Sequence, residues 1–204
     1  MTMIKVHHAR RARSVRVIWL LEELGVPYEL ATVEFTREYL TRPEYLALHP
    51  LGKVPVIQDR DVTLFESGAI LEYLLEEHGG GRLAPPPGSR NRAPYLQWFH
   101  FGEASLMTHV GSIVRHVFTL PEAERVPAVA EDGRVRLRQA LEAVDQALAE
   151  RPFIVGDEFT AADIMVAYGV AISKIMRELP PELGRLSAYL SRMKERPAYG
   201  RAWA

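Results

Sequence analysis

Ile4, Val6 and His8 alternate with Lys5 and His7, a period of two that predicts a short strand. The period then changes. Val17, Ile18, Leu21 and Leu24 form an apolar stripe at helical spacing, and Gly25 stands where such a helix would stop. Tyr28, Leu30, Thr32 and the β-branched Val33 predict a second strand. Residues 43–48 predict one short helix. Val54, Pro55, Val56 and Ile57 predict a third strand, and Asp59, Arg60 and Asp61 a turn into a fourth at Val62, Thr63 and Leu64. Helical spacing returns with Ile70, Leu71, Leu74 and Leu75, up to His78 and three glycines. The order β-α-β-α-β-β-α predicts a small α/β sandwich with a mixed sheet.

The second part of the chain reads differently. Residues 79–89 hold four glycines and three consecutive prolines, a composition that excludes helix and central strand. No strand pattern follows it. Residues 92–117 have helical content, weakened by Gly102 and Gly111. Leu137, Leu141, Val144 and Leu148 recur at helical spacing, and a last helical stretch covers residues 182–194 with Pro197 beyond it. Thr160 and Asp163 make a capping box, with Phe159 and Ile164 as its hydrophobic staple, so a folding role explains them without a ligand. The expected organisation is an α/β domain over residues 1–80, a linker over 81–90 and an all-helical domain over 91–204.

Composition narrows the chemistry. The chain has 204 residues, 48% apolar, with 25 basic and 26 acidic side chains and a net charge of −1. That balance offers no pull toward nucleic acid or an anionic membrane. Residues 1–80 carry −3 and residues 81–204 carry +2, too mild a split to suggest a basic binding face. No run is apolar enough to span a bilayer, and the first residues lack the apolar core of a signal peptide, so the cytoplasm is the expected location. The 7 histidines make no metal-ligand spacing. Cysteine is absent, which excludes disulfides, thiolate metal sites and a cysteine nucleophile. Any thiol chemistry would use a thiol from outside.

Four stretches carry a resemblance. They are Arg16-Val17-Ile18-Trp19-Leu20-Leu21-Glu22-Glu23-Leu24-Gly25-Val26-Pro27-Tyr28-Glu29, His49-Pro50-Leu51-Gly52-Lys53-Val54-Pro55-Val56-Ile57, Leu64-Phe65-Glu66-Ser67-Gly68-Ala69-Ile70 and Phe159-Thr160-Ala161-Ala162-Asp163-Ile164. With the closing Arg196-Pro197-Ala198-Tyr199, they resemble the cytosolic glutathione transferase family over essentially the whole chain. Within it the bacterial and fungal branch, with Trp-Leu-Leu-Glu-Glu-Leu in its first helix, is the most similar. The resemblance implies a thioredoxin-like N-terminal domain, a helical C-terminal domain, glutathione as co-substrate, no metal, and a homodimer.

The same resemblance distributes roles. It implies a cis bond before Pro55, leaving the Val54 backbone as an edge that pairs with the cysteinyl unit of the tripeptide. Ser67 can cap the helix it opens, and its hydroxyl and N–H suit the α-carboxylate of the γ-glutamyl end, with Glu66 for the ammonium. Lys53 would take the glycyl carboxylate, or be a solvated lysine, and His49 is similarly placed. Phe99, Glu103, Met107, Val110 and His116 are candidates for the electrophile pocket, although Phe99 and Met107, with Trp98 and Phe101, also read as core.

Activation of the thiol is the open question. A free thiol has a pKa of roughly 8.5, and a hydroxyl donor or a cation lowers it. The segment that supplies the donor in this family holds Ala12 where a serine is common. Ser14 is the remaining hydroxyl, but it is also placed to cap the first helix. Arg11 and Arg13 offer charge instead, whereas Arg10 reads as solvated and Arg16 as structural. Conjugation of glutathione to small, largely apolar electrophiles is the expected function. Glutathione-dependent disulfide reduction or peroxidase activity is the alternative, and a scaffold that kept the fold without the chemistry is a third.

Overall fold

The computed structural model describes residues 3–204. Met1 and Thr2, which belong to the segment read above for a signal peptide, lie outside the described residues. The remaining chain divides into two compact units: the described residues up to Ala84 with Arg196–Ala204, and Pro85–Glu195.

The first unit follows the expected order. It runs β1 (Ile4–His8), α1 (Ser14–Leu24), β2 (Tyr28–Thr32), α2 (Arg37–Leu40), α3 (Pro43–Leu46), β3 (Val56–Asp59), β4 (Val62–Phe65) and α4 (Ser67–His78). The sheet order is β2-β1-β3-β4. β1 and β2 are parallel, because α1 carries the chain back across the sheet. β3 is antiparallel to both β1 and β4. α1 is buried on nearly every side, so it is the central element of this unit rather than a surface helix. It stops where expected, at Gly25 in the left-handed conformation, whose N–H reaches Leu21 and Glu22 carbonyls.

Two boundaries differ from expectation. The predicted single short helix is two, because Thr36 caps α2 by accepting the Tyr39 N–H and Pro43 opens α3. β3 begins at Val56 rather than Val54, because Pro55 has no N–H to offer the ladder.

α10 would complete a helical domain over 91–204, but it groups with the first unit instead. Labelled in chain order, the second unit contains α5 (Arg92–Phe101), α6 (Thr108–Val114), α7 (Pro127–Ala147), α8 (Ala161–Ile175) and α9 (Gly184–Lys194), and α10 is Pro197–Ala202. The reason α10 changes sides is specific. Arg196 pairs with Glu23 and Arg201 with Glu22, and Tyr199 sets its ring edge-on to Trp19 at 5.0 Å.

In the helical unit Gly102 and Gly111 do not break the helix. The chain stays helical from Arg92 to Thr119, with π-helical turns over Gly102–Met107 and Arg115–Thr119. A Cβ on Gly102 would stand 2.7 Å from the Met165 carbonyl carbon, so this glycine lets α8 approach. α8 is buried over nearly its whole length. Its capping box forms as expected, and Asp163 does more than cap. One carboxylate oxygen accepts the Thr160 N–H and hydroxyl, and the other accepts the Ile154 N–H and the Tyr189 hydroxyl, both at 2.8 Å. Among the described residues no helix is long and apolar enough to cross a membrane, and no group of three acidic or histidine side chains could hold a metal.

Candidate functional site

Two loops meet at one end of the two inner strands, β1 and β3. Residues 9–13 leave β1, and residues 47–55 lead into β3. Ala9 and Val54 are buried together with Val33 and Tyr45, and Ala12, Tyr39, Leu40 and Leu48 pack against them. The first loop is a tight turn. Ala12 N–H donates to the Ala9 carbonyl at 3.1 Å, and Arg11 takes a φ of +61°. The second loop is held from both sides. Gly52 has a φ of +55°, and a Cβ there would lie 2.5 Å from the Leu40 carbonyl oxygen, so only glycine fits. Tyr45 donates its hydroxyl to the Lys53 carbonyl at 2.8 Å. Burial, then Tyr39, pushes the Tyr45 phenol up to about 12, so it remains a donor at neutral pH.

The Val54–Pro55 bond is cis. Val54 itself stands before β3, and among the described residues its N–H and C=O take no part in the backbone hydrogen bonds. A main-chain donor and acceptor are therefore left for a partner.

Ser67 behaves differently from the expected cap. Glu66 holds the N-cap position at a φ of +73°, and no side chain caps α4. Ser67 is the first helical residue, and its Oγ accepts a hydrogen bond from Arg16 Nη1 at 3.1 Å. Both side chains are buried, Arg16 completely. This pair joins α1 to the positive end of α4. Sequence reasoning missed it, because the two residues are 51 apart and the signal was a cation set among the apolar residues Val15, Val17 and Ile18.

His49 is buried and occupied. Its Nδ1 accepts the Leu51 N–H at 3.2 Å, and its ring lies against Phe65 at 4.6 Å. Burial lowers its pKa, so the ring is neutral and shapes the loop rather than serving as a cation. Lys53 is exposed at the loop surface.

Ser14 also departs from its expected roles. Arg13 holds the N-cap position of α1, and Ser14 lies inside the first turn. Its Oγ is within 2.9 Å of His8 Nδ1 and close to both the N–H and the carbonyl of Ala9. The side chain is 0% exposed, which leaves no face for a ligand sulfur. Burial lowers the His8 pKa and keeps this pair neutral. Arg11 is exposed and Arg13 and Ala12 are half-buried, so these three keep surface in the loop.

The pocket candidates on the helical unit split. Phe99, Met107 and Val110 are buried, so they are core rather than lining. Phe99 meets the Tyr95 ring at 5.5 Å, and the Met107 sulfur packs beside Gly169. His116 keeps surface, but its Nδ1 accepts the Val126 N–H at 3.1 Å and ties down the loop that follows. Glu103 is half-buried.

Comparison with known proteins agrees with this architecture. Residues 1–76 match the model of the glutathione S-transferase N-terminal domain, and residues 127–192 match that of the C-terminal domain. Glutathione S-transferase 3 of Schizosaccharomyces pombe is 33% identical over 82% of this chain and 73% of its own length. A theta class glutathione S-transferase from Xanthomonas axonopodis pv. citri, solved with glutathione bound, superposes with a TM-score of 0.82 at 31% identity, over 99% of this chain and 97% of that one. A glutathione transferase from Phanerochaete chrysosporium, solved with oxidised glutathione, gives a TM-score of 0.86 at 25% identity, over 98% and 94% of the two chains. With both halves matched in order on a β-α-β-α-β-β-α unit and a helical unit, the chain belongs to the glutathione S-transferase family.

Proposed function

We propose that this protein binds glutathione on its first unit and adds the glutathione thiolate to small, largely apolar electrophiles. One observation carries the reading: Val54 offers an unused N–H and C=O beside Ala9 and Ala12, where the loop enters α1. A free backbone edge of this kind pairs with a peptide, and glutathione is a tripeptide. Ser67 and Glu66 at the positive end of α4 suit the α-carboxylate and ammonium of the γ-glutamyl end. Lys53 suits the glycyl carboxylate. The bound glutathione in the Xanthomonas structure supports the same ligand here.

With Ser14 enclosed, the thiolate is assigned to the charge of Arg11 and Arg13. The thiolate sulfur forms a bond to an electrophilic carbon, and the displaced pair leaves with the leaving group or takes a proton from water. Glu103, which is half-buried, is kept as the candidate for the electrophile pocket. A homodimer in the cytoplasm completes the proposal.

The absence of cysteine shapes a second reading, glutathione-dependent disulfide reduction. Without a hydroxyl in the loop or a cysteine in the chain, two glutathione molecules can reduce a disulfide directly. The first thiolate attacks the disulfide and expels one thiolate. The second attacks the mixed disulfide, expels the other, and leaves as oxidised glutathione, the species held in the Phanerochaete structure. Retention on immobilised glutathione, repeated with Ser67→Ala, tests the shared step, and a parent protein that is not retained sinks both readings. Parallel assays with a model electrophile, a disulfide and a hydroperoxide separate them.

A further inference from the structure

We infer that Arg16 is a positioning residue of the glutathione site: by occupying a lone pair of Ser67 Oγ, it turns the serine hydroxyl into a donor for a carboxylate on the ligand. The inference rests on the glutathione reading above and adds to it the device that selects a negative charge at the γ-glutamyl end.

The hydrogen-bond inventory carries it. A guanidinium has donors only, whereas a serine hydroxyl has one proton and two lone pairs. Arg16 Nη1 donates to Ser67 Oγ at 3.1 Å, so the serine proton must point to something else. Among the described residues no acceptor takes it, although the side chain is only 3% exposed. A buried donor without an acceptor is costly, and a ligand oxygen removes that cost. Two fixed charges reinforce the choice of an anion. The Arg16 guanidinium lies immediately behind Ser67, and the positive end of the α4 dipole lies beneath it. Both act from inside the protein, where screening by salt is weak.

The test is a ratio, which a general loss of fold quality does not move. Binding of S-methylglutathione is compared by calorimetry with binding of the same compound lacking its γ-glutamyl α-carboxylate. The wild-type protein is expected to prefer the carboxylate form by roughly ten- to hundredfold, the span of one charge-assisted hydrogen bond. Arg16→Gln, which removes the charge and can return an acceptor to Ser67, is expected to bring the preference below about threefold. Arg16→Lys keeps a charged donor and is expected to retain most of the preference. An Arg16→Gln protein with the wild-type preference overturns the inference, while a wild-type protein that binds neither compound overturns the glutathione reading itself. Should Arg16→Gln fail to fold, Ser67→Ala decides with Arg16 left in place. Loss of the preference supports action through the hydroxyl, and a full preference without the hydroxyl overturns it.

Discussion

Arg196 donates from Nε and Nη2 to the two carboxylate oxygens of Glu23, each bond 2.7 Å long, across 173 residues of chain. This bidentate pair fixes the C-terminal helix on α1, the most buried helix of the first unit. Glu23 also accepts the Trp19 indole N–H at 3.0 Å, but a neutral donor does not replace the charge of the guanidinium. Arg196→Ala is expected to cost about 1–3 kcal/mol, since it leaves a largely enclosed charge without its partner. Arg196→Lys is expected to recover only part, because a point charge cannot make two parallel bonds. Urea unfolding measures the cost, and hydrogen exchange should show early opening of residues 197–202. A loss below about 0.5 kcal/mol would place the pair among ordinary surface bridges.

Asp59 ties the end of β3 to α4. Its Oδ2 lies 2.8 Å from His78 Nε2 and accepts the Tyr73 hydroxyl at 3.0 Å. Burial by itself raises this carboxyl, but the bonds from His78 and Tyr73 and the nearby charges of His78 and Arg60 together lower its pKa. A carboxyl lowered in the folded state stabilises above its unfolded pKa of about 3.9 and loses that contribution as the pH falls through the folded value. Asp59→Asn is therefore expected to be less stable than the wild type by about 1–3 kcal/mol at neutral pH. The gap should narrow from about pH 4 downward, as first the unfolded and then the folded wild-type carboxyl takes up its proton. Denaturation midpoints of both proteins from pH 3 to pH 8 provide the check, and a gap that widens toward acid refutes the assignment.

Ala12 and Ser14 exchange the roles that sequence suggests for a hydroxyl in this loop. Ala12 packs beside Ala9 and Val54 with part of its surface free, whereas Ser14 is enclosed against His8. On the proposed glutathione reading, Ala12→Ser is expected to lower the thiol pKa of bound glutathione by about one unit or more, because it adds a hydroxyl donor to the loop assigned to the sulfur. Ser14→Ala is expected to leave that pKa alone and to cost about 1 kcal/mol of stability through the lost bond to His8. Ultraviolet titration of the bound thiolate reads the first effect and thermal unfolding the second. A thiol shifted by Ser14→Ala and untouched by Ala12→Ser would reverse the assignment.

Local signals in the chain were legible where one element sufficed to express them. The alternation of Ile4 and Val6, the stop at Gly25 and the Thr160–Asp163 box depend on neighbours in sequence, and each stands where it was expected. The loops around Val54 and the α4 start were legible only through resemblance, since no period marks them. What could not be read was pairing between distant elements. Ser67 looks like a cap because serine before a helix usually is one, and only the fold brings Arg16 to its lone pair. Ser14 was misplaced by one position for the same reason, since His8 and the Ala9 backbone claim its hydroxyl. Tyr45 gave no sign that its hydroxyl would hold the Lys53 carbonyl.

Gly102 sets propensity against packing in a way that one pair of substitutions resolves. In a helix, alanine is favoured over glycine by about 1 kcal/mol, so propensity alone makes Gly102→Ala and Gly111→Ala equally stabilising. The surroundings differ. A Cβ at Gly102 would lie 2.7 Å from the Met165 carbonyl carbon and 2.8 Å from its oxygen, both main-chain atoms of the buried α8. Neither atom can rotate away, so the two helices must separate, and overpacking of this kind costs about 1–3 kcal/mol. At Gly111 nothing lies within 4 Å of the added carbon. Gly111→Ala is therefore expected to raise the melting temperature slightly and Gly102→Ala to lower it by several degrees, about 2–8 °C. Changes of the same sign at both positions would mean that α8 yields to the added carbon, and that the helical unit is less tightly packed at Gly102 than its geometry requires.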